Sequence, residues 1–436
     1  MRMIASLLIS MFVTLECNSD ILIKNVTVLS MGEGGATENA AVHISGDRIV
    51  AVRSDAAPLP ATSDLTVIDG TGKFLIPGMT EMHGHLPPAS WSTERAEDTL
   101  FLYVAGGVTT VRGMLGDAAQ FAMRDSINAG DIVGPMLYLA APSLNGNSVS
   151  SVEEARAKTT RYASEGWDLQ KIHPGLSRDE YDAMAETANA LNYPFGGHVP
   201  ADVGIEHALE AGQISIDHMD GYIEWLDGES HELSADALAR AVAITRPSGT
   251  WIVPTQALFN TFYSGYGAGD ALSDAEIDAL LSREENAYVP AETRAQWAKT
   301  AQNARPNALV IKNRQMLLKA FADAGLNLAM GSDAPQTFSV PGFSIWREIE
   351  VMVDAGLTPE QILEIGTAAP GRYFADKDRF GVIETGARAD LILLDADPRL
   401  DALNLTKQAG VMAAGRWYSH ADIDKRLVEI AERNKD

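Results

Sequence analysis

The sequence predicts an α/β protein in which a (β/α)8 TIM barrel is joined to a small β-sandwich domain built from both chain ends. Between Gly78 and about Gly371, eight strand-like segments alternate with helical patterns, and eight is the number that closes such a barrel. Short period-two strands with Gly and Asp turns precede this region and return after it. We therefore expect the sandwich at 20–76 plus 377–436 and the barrel at 77–376.

Bulk composition narrows the functional classes. The 436 residues are 46% hydrophobic and 21% charged, which is typical of a globular protein with one large and one smaller domain. A formal net charge of -25 disfavours binding to nucleic acid or to an anionic membrane through a basic patch. Cys17 is the single cysteine, so any metal site must use His, carboxylate or a modified side chain.

The first residues resemble a targeting segment. Arg2 is followed by an apolar run of 13 residues, which is shorter than the roughly 20 that a membrane span needs. We interpret 1–19 as a signal peptide, so a periplasmic or secreted protein with no integral membrane span in the mature chain is expected. A cytoplasmic protein with an uncleaved start is the alternative.

The small domain is predicted from alternating apolar residues. Segments in 20–70 have strand periodicity, and Gly46-Asp47 form a hairpin turn between two of them. His43 lies inside this region and is interpreted as structural. Strand patterns return in RFGVIETGARADLILLDAD and AGVMAAGRWY, after which a charged helix ends the chain.

The barrel strands are predicted from apolar runs at regular spacing. Helical patterns separate them, and Ser177 and Ser234 are the expected N-caps of two of these helices. The eight strand candidates are 78–85, 107–114, 135–142, 168–173, 194–199, 215–220, 250–258 and 327–335.

The first barrel strand carries a metal half-site. In LIPGMTEMHGH, His83 and His85 are two residues apart, so on a strand both side chains point to the same face. Gly84 between them allows a close approach of the backbone. Two histidines at this spacing also occur on ordinary surface strands, so this motif alone does not establish a metal site.

Other strand ends strengthen the metal interpretation. Active sites of these barrels lie at the C-terminal ends of the strands, where side chains from different strands meet. A single histidine at such a position is more often a core or surface residue than a metal ligand. Several ligand-type residues at the same end of the strands together favour a metal centre. Its further members are Lys171 on strand 4, His198 on strand 5, His218 on strand 6 and Asp333 on strand 8.

Lys171 allows two interpretations. It either forms a salt bridge at a strand end, or burial keeps its amine neutral enough to add carbon dioxide. The carbamate formed in the second case would bridge two metals as a carboxylate does.

Five motifs together resemble the amidohydrolase superfamily of metal-dependent hydrolases, and its imidazolonepropionase-like and Xaa-Pro-dipeptidase-like members in particular. They are HGH, DLQKIHPGLS, FGGHVP, SIDHMDGY and MGSDAP, and the similarity covers Asp20 to Tyr418. The resemblance implies a binuclear site with carboxylated Lys171 and a hydroxide between the metals. It places His83, His85 and Asp333 on one metal and His198 and His218 on the other. VRGMLGD and PSLNGNS do not match the substrate-carboxylate contacts expected of the dipeptidases.

The expected cofactors are two divalent ions, with zinc preferred, although manganese, cobalt and iron also suit His and carboxylate ligands. Such ions lower the pKa of a bridging water from about 15.7 towards about 7 and polarise the scissile carbonyl. Asp333 is the expected general acid and base, taking the proton of the attacking hydroxide and delivering it to the leaving nitrogen.

Three further residues are candidates for substrate contact. Arg112 either anchors a substrate carboxylate or forms a buried ion pair. Tyr222 either stabilises an oxyanion or packs in the core, and His173 is either a substrate contact or an ordinary loop residue. The long connection from Phe259 to about Pro306 is either a lid or an oligomer contact.

The sequence therefore predicts an enzyme that hydrolyses a C-N amide or peptide bond in a small molecule such as a dipeptide or N-acyl amino acid. A cyclic amide, lactone or ester hydrolase at the same metals is the alternative. A mononuclear deaminase is less favoured, because such enzymes usually work with one metal and additional acidic residues that the sequence does not place. A non-catalytic binding barrel is less favoured because all six ligand candidates are present. A homo-oligomer is compatible with the sequence.

Overall fold

The computed structural model describes residues 20–54, 65–260 and 270–435. The predicted signal peptide, with Cys17, lies outside these residues, and so does part of the long connection after strand 7, with its aromatic residues Phe262, Tyr263 and Tyr266. Within the described ranges, every helix is too short or too polar to cross a bilayer.

One mixed sheet is built from both ends of the chain. β1 pairs antiparallel with β2 and parallel with both β4 and β5, and β5 pairs antiparallel with β13. The order is β15-β14-β13-β5-β1-β2-β3, with β4 beside β1, so the pairing describes one eight-stranded sheet, and the sandwich stays a prediction. Its strands are β1 Ile21–Leu29, β2 Ala36–Ser45, β3 Arg48–Ser54, β4 Thr66–Asp69, β5 Phe74–Pro77, β13 Leu391–Leu394, β14 Gln408–Ala413 and β15 Arg416–Ser419.

Seven of the predicted barrel strands are present as parallel strands in two further sheets, ordered β6-β7-β8 and β12-β11-β10-β9. β5 continues into β6 after Gly78, so the mixed sheet leads directly into the first strand that carries predicted metal ligands. These strands are β6 Met79–Gly84, β7 Val108–Gly113, β8 Met136–Leu139, β9 Gln170–Ile172, β10 Phe195–Gly197, β11 Ser215–Asp217 and β12 Trp251–Val253.

Several backbone hydrogen bonds connect the two parallel sheets, among them Asp168 N to Leu139 O and Ala141 N to Leu169 O, both at 2.8 Å. Ala140 forms an isolated parallel bridge with Leu169, between the ends of β8 and β9. The eighth predicted strand, 327–335, forms one bridge from Leu328 to Ile252 of β12, and Met82 N of β6 donates to Met330 O at 2.8 Å. The eighth segment is therefore extended chain between β12 and β6 without a ladder of its own, and barrel closure stays a prediction.

Helices follow the parallel strands, as the alternating pattern predicts. Ser177 and Ser234 cap α4 and α7, each accepting a hydrogen bond from the third residue of its helix. The helices are α1 Thr93–Ala105, α2 Ala119–Ala129, α3 Val152–Glu165, α4 Arg178–Ala190, α5 Ile205–Glu210, α6 Tyr222–Trp225, α7 Ala235–Thr245, α8 Gln256–Leu258, α9 Asp274–Leu281, α10 Ala291–Asn303, α11 Ala308–Asp323, α12 Phe343–Asp354, α13 Pro359–Gly366, α14 Ala368–Tyr373 and α15 His420–Arg433.

The long connection after β12 contains α8, α9 and α10. Trp297 of α10 lies with its ring centroid 5.2 Å from that of Phe338, which follows the eighth segment. Leu280 and Val289 belong to the same apolar cluster as Phe338. The described part of the connection is therefore fixed by apolar packing next to the loop that follows Asp333.

Candidate metal centre

The two histidines of the HGH motif are positioned by backbone contacts with the eighth segment. His83 is fully buried, and His85 N donates to Ala334 O at 2.7 Å. A Cβ atom at Gly84 would lie 2.7 Å from Val111 Cγ1 and 2.9 Å from Glu81 Cγ. A side chain would therefore push β6 away from β7, and glycine is required between the two ligands.

Asp333 closes one side of the site. Its backbone has φ of 62°, and its N donates to His83 O at 2.8 Å. This turn directs Oδ1 to 2.6 Å from His85 Nε2 and 3.7 Å from His83 Nε2. One carboxylate oxygen thus lies beside both histidines of β6.

The histidines of strands 5 and 6 lie on the other side of His83. The ring centroid of His218 is 4.5 Å from that of His83 and 4.4 Å from that of His198. His173 stacks on His198 at 4.9 Å. The four predicted ligand histidines and Asp333 are therefore brought together at one end of the parallel strands.

Three of these rings have a fixed orientation because their Nδ1 atoms face a polar partner. His198 Nδ1 lies 2.7 Å from Asp220 Oδ2, and His218 Nδ1 lies 2.8 Å from Thr255 Oγ1. His83 Nδ1 approaches an oxygen of Asp217 to 2.8 Å, although the contact is not aligned as a hydrogen bond. These partners leave Nε2 as the ligand atom.

The donor set fits a divalent metal ion. His83, His218 and Asp333 offer buried ligand atoms that all lie within 4.8 Å of one another. His218 Nε2 is buried without a hydrogen-bond partner, as expected of an atom that binds a metal. Burial holds the pKa of both His83 and His218 well below the usual range, so both rings are neutral and able to ligate.

Lys171 lies beside this donor set. It is fully buried, with Nζ 3.1 Å from His83 Nε2 and 3.9 Å from Asp217 Oδ2. Burial lowers the pKa of its amine to about 8. The salt-bridge interpretation has weak geometric support, because the nearest carboxylate is at the outer limit of an ion pair.

Arg112 is not a substrate anchor, and the structure corrects that prediction. Its guanidinium is fully buried and donates from Nη2 to Asp217 Oδ1 at 2.9 Å and Oδ2 at 3.1 Å. Nε donates to Met82 O at 2.5 Å, and Nη1 donates to Ser215 Oγ and Tyr373 Oη. A buried cation must be paired in this way, and no donor remains for a ligand.

We expect Arg112→Met to lower the free energy of unfolding by about 3 to 5 kcal/mol, because Asp217 would keep a buried charge without its partner. Chemical denaturation of the metal-free protein measures this loss. Arg112→Lys is the matched control, which keeps the charge and loses the bidentate contact. A loss below about 1 kcal/mol for Arg112→Met, the range of a surface pair, would contradict this ion-pair role.

Tyr222 is a core residue, so its predicted oxyanion role is also corrected. Its hydroxyl lies 2.5 Å from Thr245 Oγ1, and its ring packs against Phe321 at 5.1 Å. His173 remains a candidate for substrate contact, because it lies next to His198 and its Nδ1 has no hydrogen-bond partner. Burial lowers the pKa of His173 to about 2, so the ring is neutral.

Glu81 is a buried residue of the site that the sequence analysis missed. Its Oε1 accepts from His83 N at 2.9 Å and from Ser332 N at 2.8 Å, and its Oε2 contacts Ser332 Oγ. Burial raises the pKa of this carboxyl group to about 8. Glu81 ties β6 to the residue before Asp333, and its spacing of two from His83 was a signal that it shares the inner face.

A cavity of about 560 Å³ lies next to the loops that carry ligands. Trp91 and Arg95, which follow β6, line one part of it, and Pro335 and Gln336, directly after Asp333, line another. The Arg95 guanidinium carbon lies 4.0 Å from the centroid of the Trp91 ring. Among the described residues, Arg95 has no carboxylate partner.

The ends of the parallel strands carry four histidines, a buried lysine and an aspartate. This combination is typical of a metal-dependent hydrolase of the α/β class. The amidohydrolase family model matches residues 74–418, and the chain belongs to the amidohydrolase family. The predicted superfamily is thereby confirmed. The protein is a hydrolase of carbon-nitrogen bonds with a small-molecule substrate.

Curated relatives cover most of the chain. An imidazolonepropionase of Streptomyces coelicolor is 25% identical over 439 residues, covering 92% of this chain and 98% of that protein. An ochratoxinase of Aspergillus niger is 24% identical over 443 residues, covering 86% of this chain and 81% of that protein. The chain is thus similar along nearly its whole length to enzymes with different names.

Solved structures share the fold. A putative prolidase from Bifidobacterium longum has a TM-score of 0.65 at 23% identity, covering 95% of this chain and 99% of that one. A bottromycin amidohydrolase has a TM-score of 0.71 at 21% identity, covering 94% and 90%. At these identities the likeness shows the α/β fold and leaves the substrate open.

Proposed function

We propose that this protein is a binuclear, zinc-type amidohydrolase that cleaves the amide or peptide bond of an N-acyl amino acid or a dipeptide. The convergence of His83, His218 and Asp333 around buried Lys171 supports this most directly. His85 and His198 flank the same group, so six ligands are available, which is more than one tetrahedral metal ion uses.

The proposed role of Lys171 is to bridge two metals as a carbamate. Its neutral amine forms a bond from Nζ to the carbon of carbon dioxide and releases one proton, which leaves a negatively charged group with two oxygens. The pKa near 8 supplies a substantial neutral fraction at neutral pH, and burial protects the product from water.

Asp333 is proposed to move the proton during hydrolysis. Divalent ions held by this ligand set would supply a water of lowered pKa and polarise the scissile carbonyl. The Asp333 carboxylate takes the proton of the attacking water and delivers it to the leaving nitrogen. Its side chain is about 10% exposed, so it is accessible to a substrate, while His83 behind it is fully buried.

The adjoining cavity supports a substrate with a carboxylate and an apolar group. Arg95 presents a guanidinium without a carboxylate partner among the described residues, held over the Trp91 ring. Tyr288 and Trp297 add aromatic surface to the same cavity. In this proposal Arg95 takes the carboxylate role that the sequence analysis had given to Arg112.

Arg95→Gln is expected to raise KM at least about tenfold for substrates with a free carboxylate, which corresponds to about 1.4 kcal/mol of binding. The same variant should hardly change KM for the corresponding carboxamides. Steady-state kinetics on matched substrate pairs measures the difference. Arg53→Gln, on β3 of the mixed sheet, is the control with the same change of charge. An equal rise of KM for both members of a pair would contradict this role.

The proposed reaction is tested with metal-loaded enzyme and a panel of dipeptides, N-acyl amino acids, cyclic amides, lactones and esters. We expect release of an amino acid from the first two classes, loss of activity with a chelator, and recovery when divalent metal is added. Turnover of only lactones, esters or cyclic amides would favour the alternative hydrolase. Release of ammonia from an aminated heterocycle would favour a deaminase.

We also propose that the protein is exported. The apolar run that follows Arg2 supports this. Expression in a Gram-negative host, with N-terminal sequencing of the protein from the periplasm, is the test. A mature chain that begins near residue 20 is expected, whereas an intact Met1 in the cytoplasmic fraction would contradict export.

A further inference from the structure

A second, smaller cavity of about 190 Å³ lies between the long connection after β12, the loop after Asp333 and α12. Arg283, which follows α9, lines it together with Arg347 of α12. Asn260 and Thr337 contribute polar side chains to the same wall. None of these four residues belongs to the metal centre.

Glu285 and Glu350 lie near Arg283, but neither forms an ion pair with it. Both carboxylates instead accept hydrogen bonds from the Arg347 guanidinium, Glu285 at 2.8 and 3.0 Å and Glu350 at 2.6 Å. Within the described parts of the chain, Arg283 makes no ion pair and no side-chain hydrogen bond. Its side chain is largely buried, and burial together with the charge of Arg347 lowers the pKa of Arg283. A desolvated guanidinium of this kind is stabilised by an anion.

Two neutral donors accompany it. The Asn260 side-chain oxygen accepts from Gln256 Nε2 at 2.6 Å, so its amide nitrogen remains available to donate. The Thr337 hydroxyl forms no hydrogen bond with the rest of the described chain. Arg283, Asn260 and Thr337 therefore line one cavity with donors that no described residue accepts from.

We propose that this cavity binds a small oxyanion, a carboxylate or a phosphate, through the fork of Arg283 with Asn260 and Thr337 as further donors. The volume suits an anion of a few heavy atoms. Long-range attraction cannot account for binding to a protein of net charge -25, so affinity must come from these local donors.

The site is adjacent in sequence to the loops that carry the candidate metal ligands. Thr337 lies four residues after Asp333, and Asn260 lies five residues after Thr255, which holds His218. A bound anion would therefore connect two loops that support ligands from different strands. The proposal does not depend on the reaction at the metals, and either can fail without the other.

Thermal unfolding of the metal-loaded enzyme tests the proposal. Inorganic phosphate and acetate are titrated separately against chloride at equal ionic strength, with wild type, Arg283→Gln and Arg53→Gln. We expect a saturable rise of Tm with one or both anions in wild type and Arg53→Gln, and its loss in Arg283→Gln. The anion that acts identifies the ligand class.

An equal rise of Tm in all three proteins would show that the anion binds elsewhere, such as at the metals, and would overturn the proposal. The absence of any rise of Tm in the wild type would overturn it as well. If Arg283→Gln does not fold, crystals of the wild type soaked in selenate give an independent answer. An anomalous peak beside the Arg283 guanidinium is expected, and an empty cavity at a selenate concentration that saturates the other oxyanion sites would overturn the proposal.

Discussion

Asp333→Asn is expected to lower kcat by about a thousandfold or more, since an amide cannot take the proton of the attacking water. Asparagine has the same shape and tolerates the left-handed backbone that Asp333 adopts with φ of 62°. The contact from residue 333 N to His83 O is also retained. The loss should therefore reflect chemistry and not unfolding.

Steady-state kinetics at saturating metal measures this loss, with metal content determined on the same sample. Most of the metal should remain, because five other ligands are unchanged. Asp354→Asn at the exposed end of α12 is the matched control and should retain wild-type kcat. A kcat within about tenfold of wild type, with full metal occupancy, is less than a general acid and base contributes and would exclude Asp333 from that role.

Lys171→Ala is expected to reduce turnover by about a thousandfold or more, because it removes the proposed bridge between the metals and opens a buried cavity beside His83. A small carboxylic acid can enter that cavity and present two oxygens as the carbamate would. We therefore expect formate or acetate to restore part of the activity of this variant in a saturable way.

Lys299→Ala, an exposed residue of α10, controls for the loss of a lysine and should behave as wild type with and without added acid. Loss of activity in Lys171→Ala without any rescue, in a protein that binds wild-type amounts of metal, would point to a charged lysine that contacts substrate. Full activity of the variant would make Lys171 an ordinary strand-end residue.

The ligand positions could be predicted from the sequence because they depend on local rules. Strand periodicity places His83 and His85 on one face, and a parallel α/β arrangement places the C-terminal ends of its strands together. The N-caps at Ser177 and Ser234 follow for the same reason, since a cap depends on residues three positions apart. For such features, the partner is near in the sequence or is fixed by the fold class.

The corrected residues depend on distant partners. Arg112 pairs with Asp217, which is 105 positions away, and Tyr222 bonds Thr245, so nothing near either residue indicated that its polar group was already used. The strand order of the mixed sheet also depends on contacts between segments that are distant in sequence, because β1 pairs with β2, β4 and β5. Alternation predicts strands and does not predict which strands pair.

The orienting residues were missed because they resemble ordinary polar residues. Asp217 and Asp220 flank His218, yet each supports a histidine from another strand, His83 and His198. Thr255, at the end of the seventh predicted strand, contacts Nδ1 of His218. Knowing which side chains face the histidines requires the structure, because these contacts cross between strands.

The central claim is that two metals are held around a carboxylated Lys171. Elemental analysis of protein purified with bicarbonate, beside Lys171→Ala, tests it most directly. We predict about two equivalents of metal per chain in the wild type, as expected for a two-metal site, and a sharp fall in the variant. One equivalent that is unchanged by the substitution would contradict the binuclear mechanism and direct the search towards chemistry at a single metal.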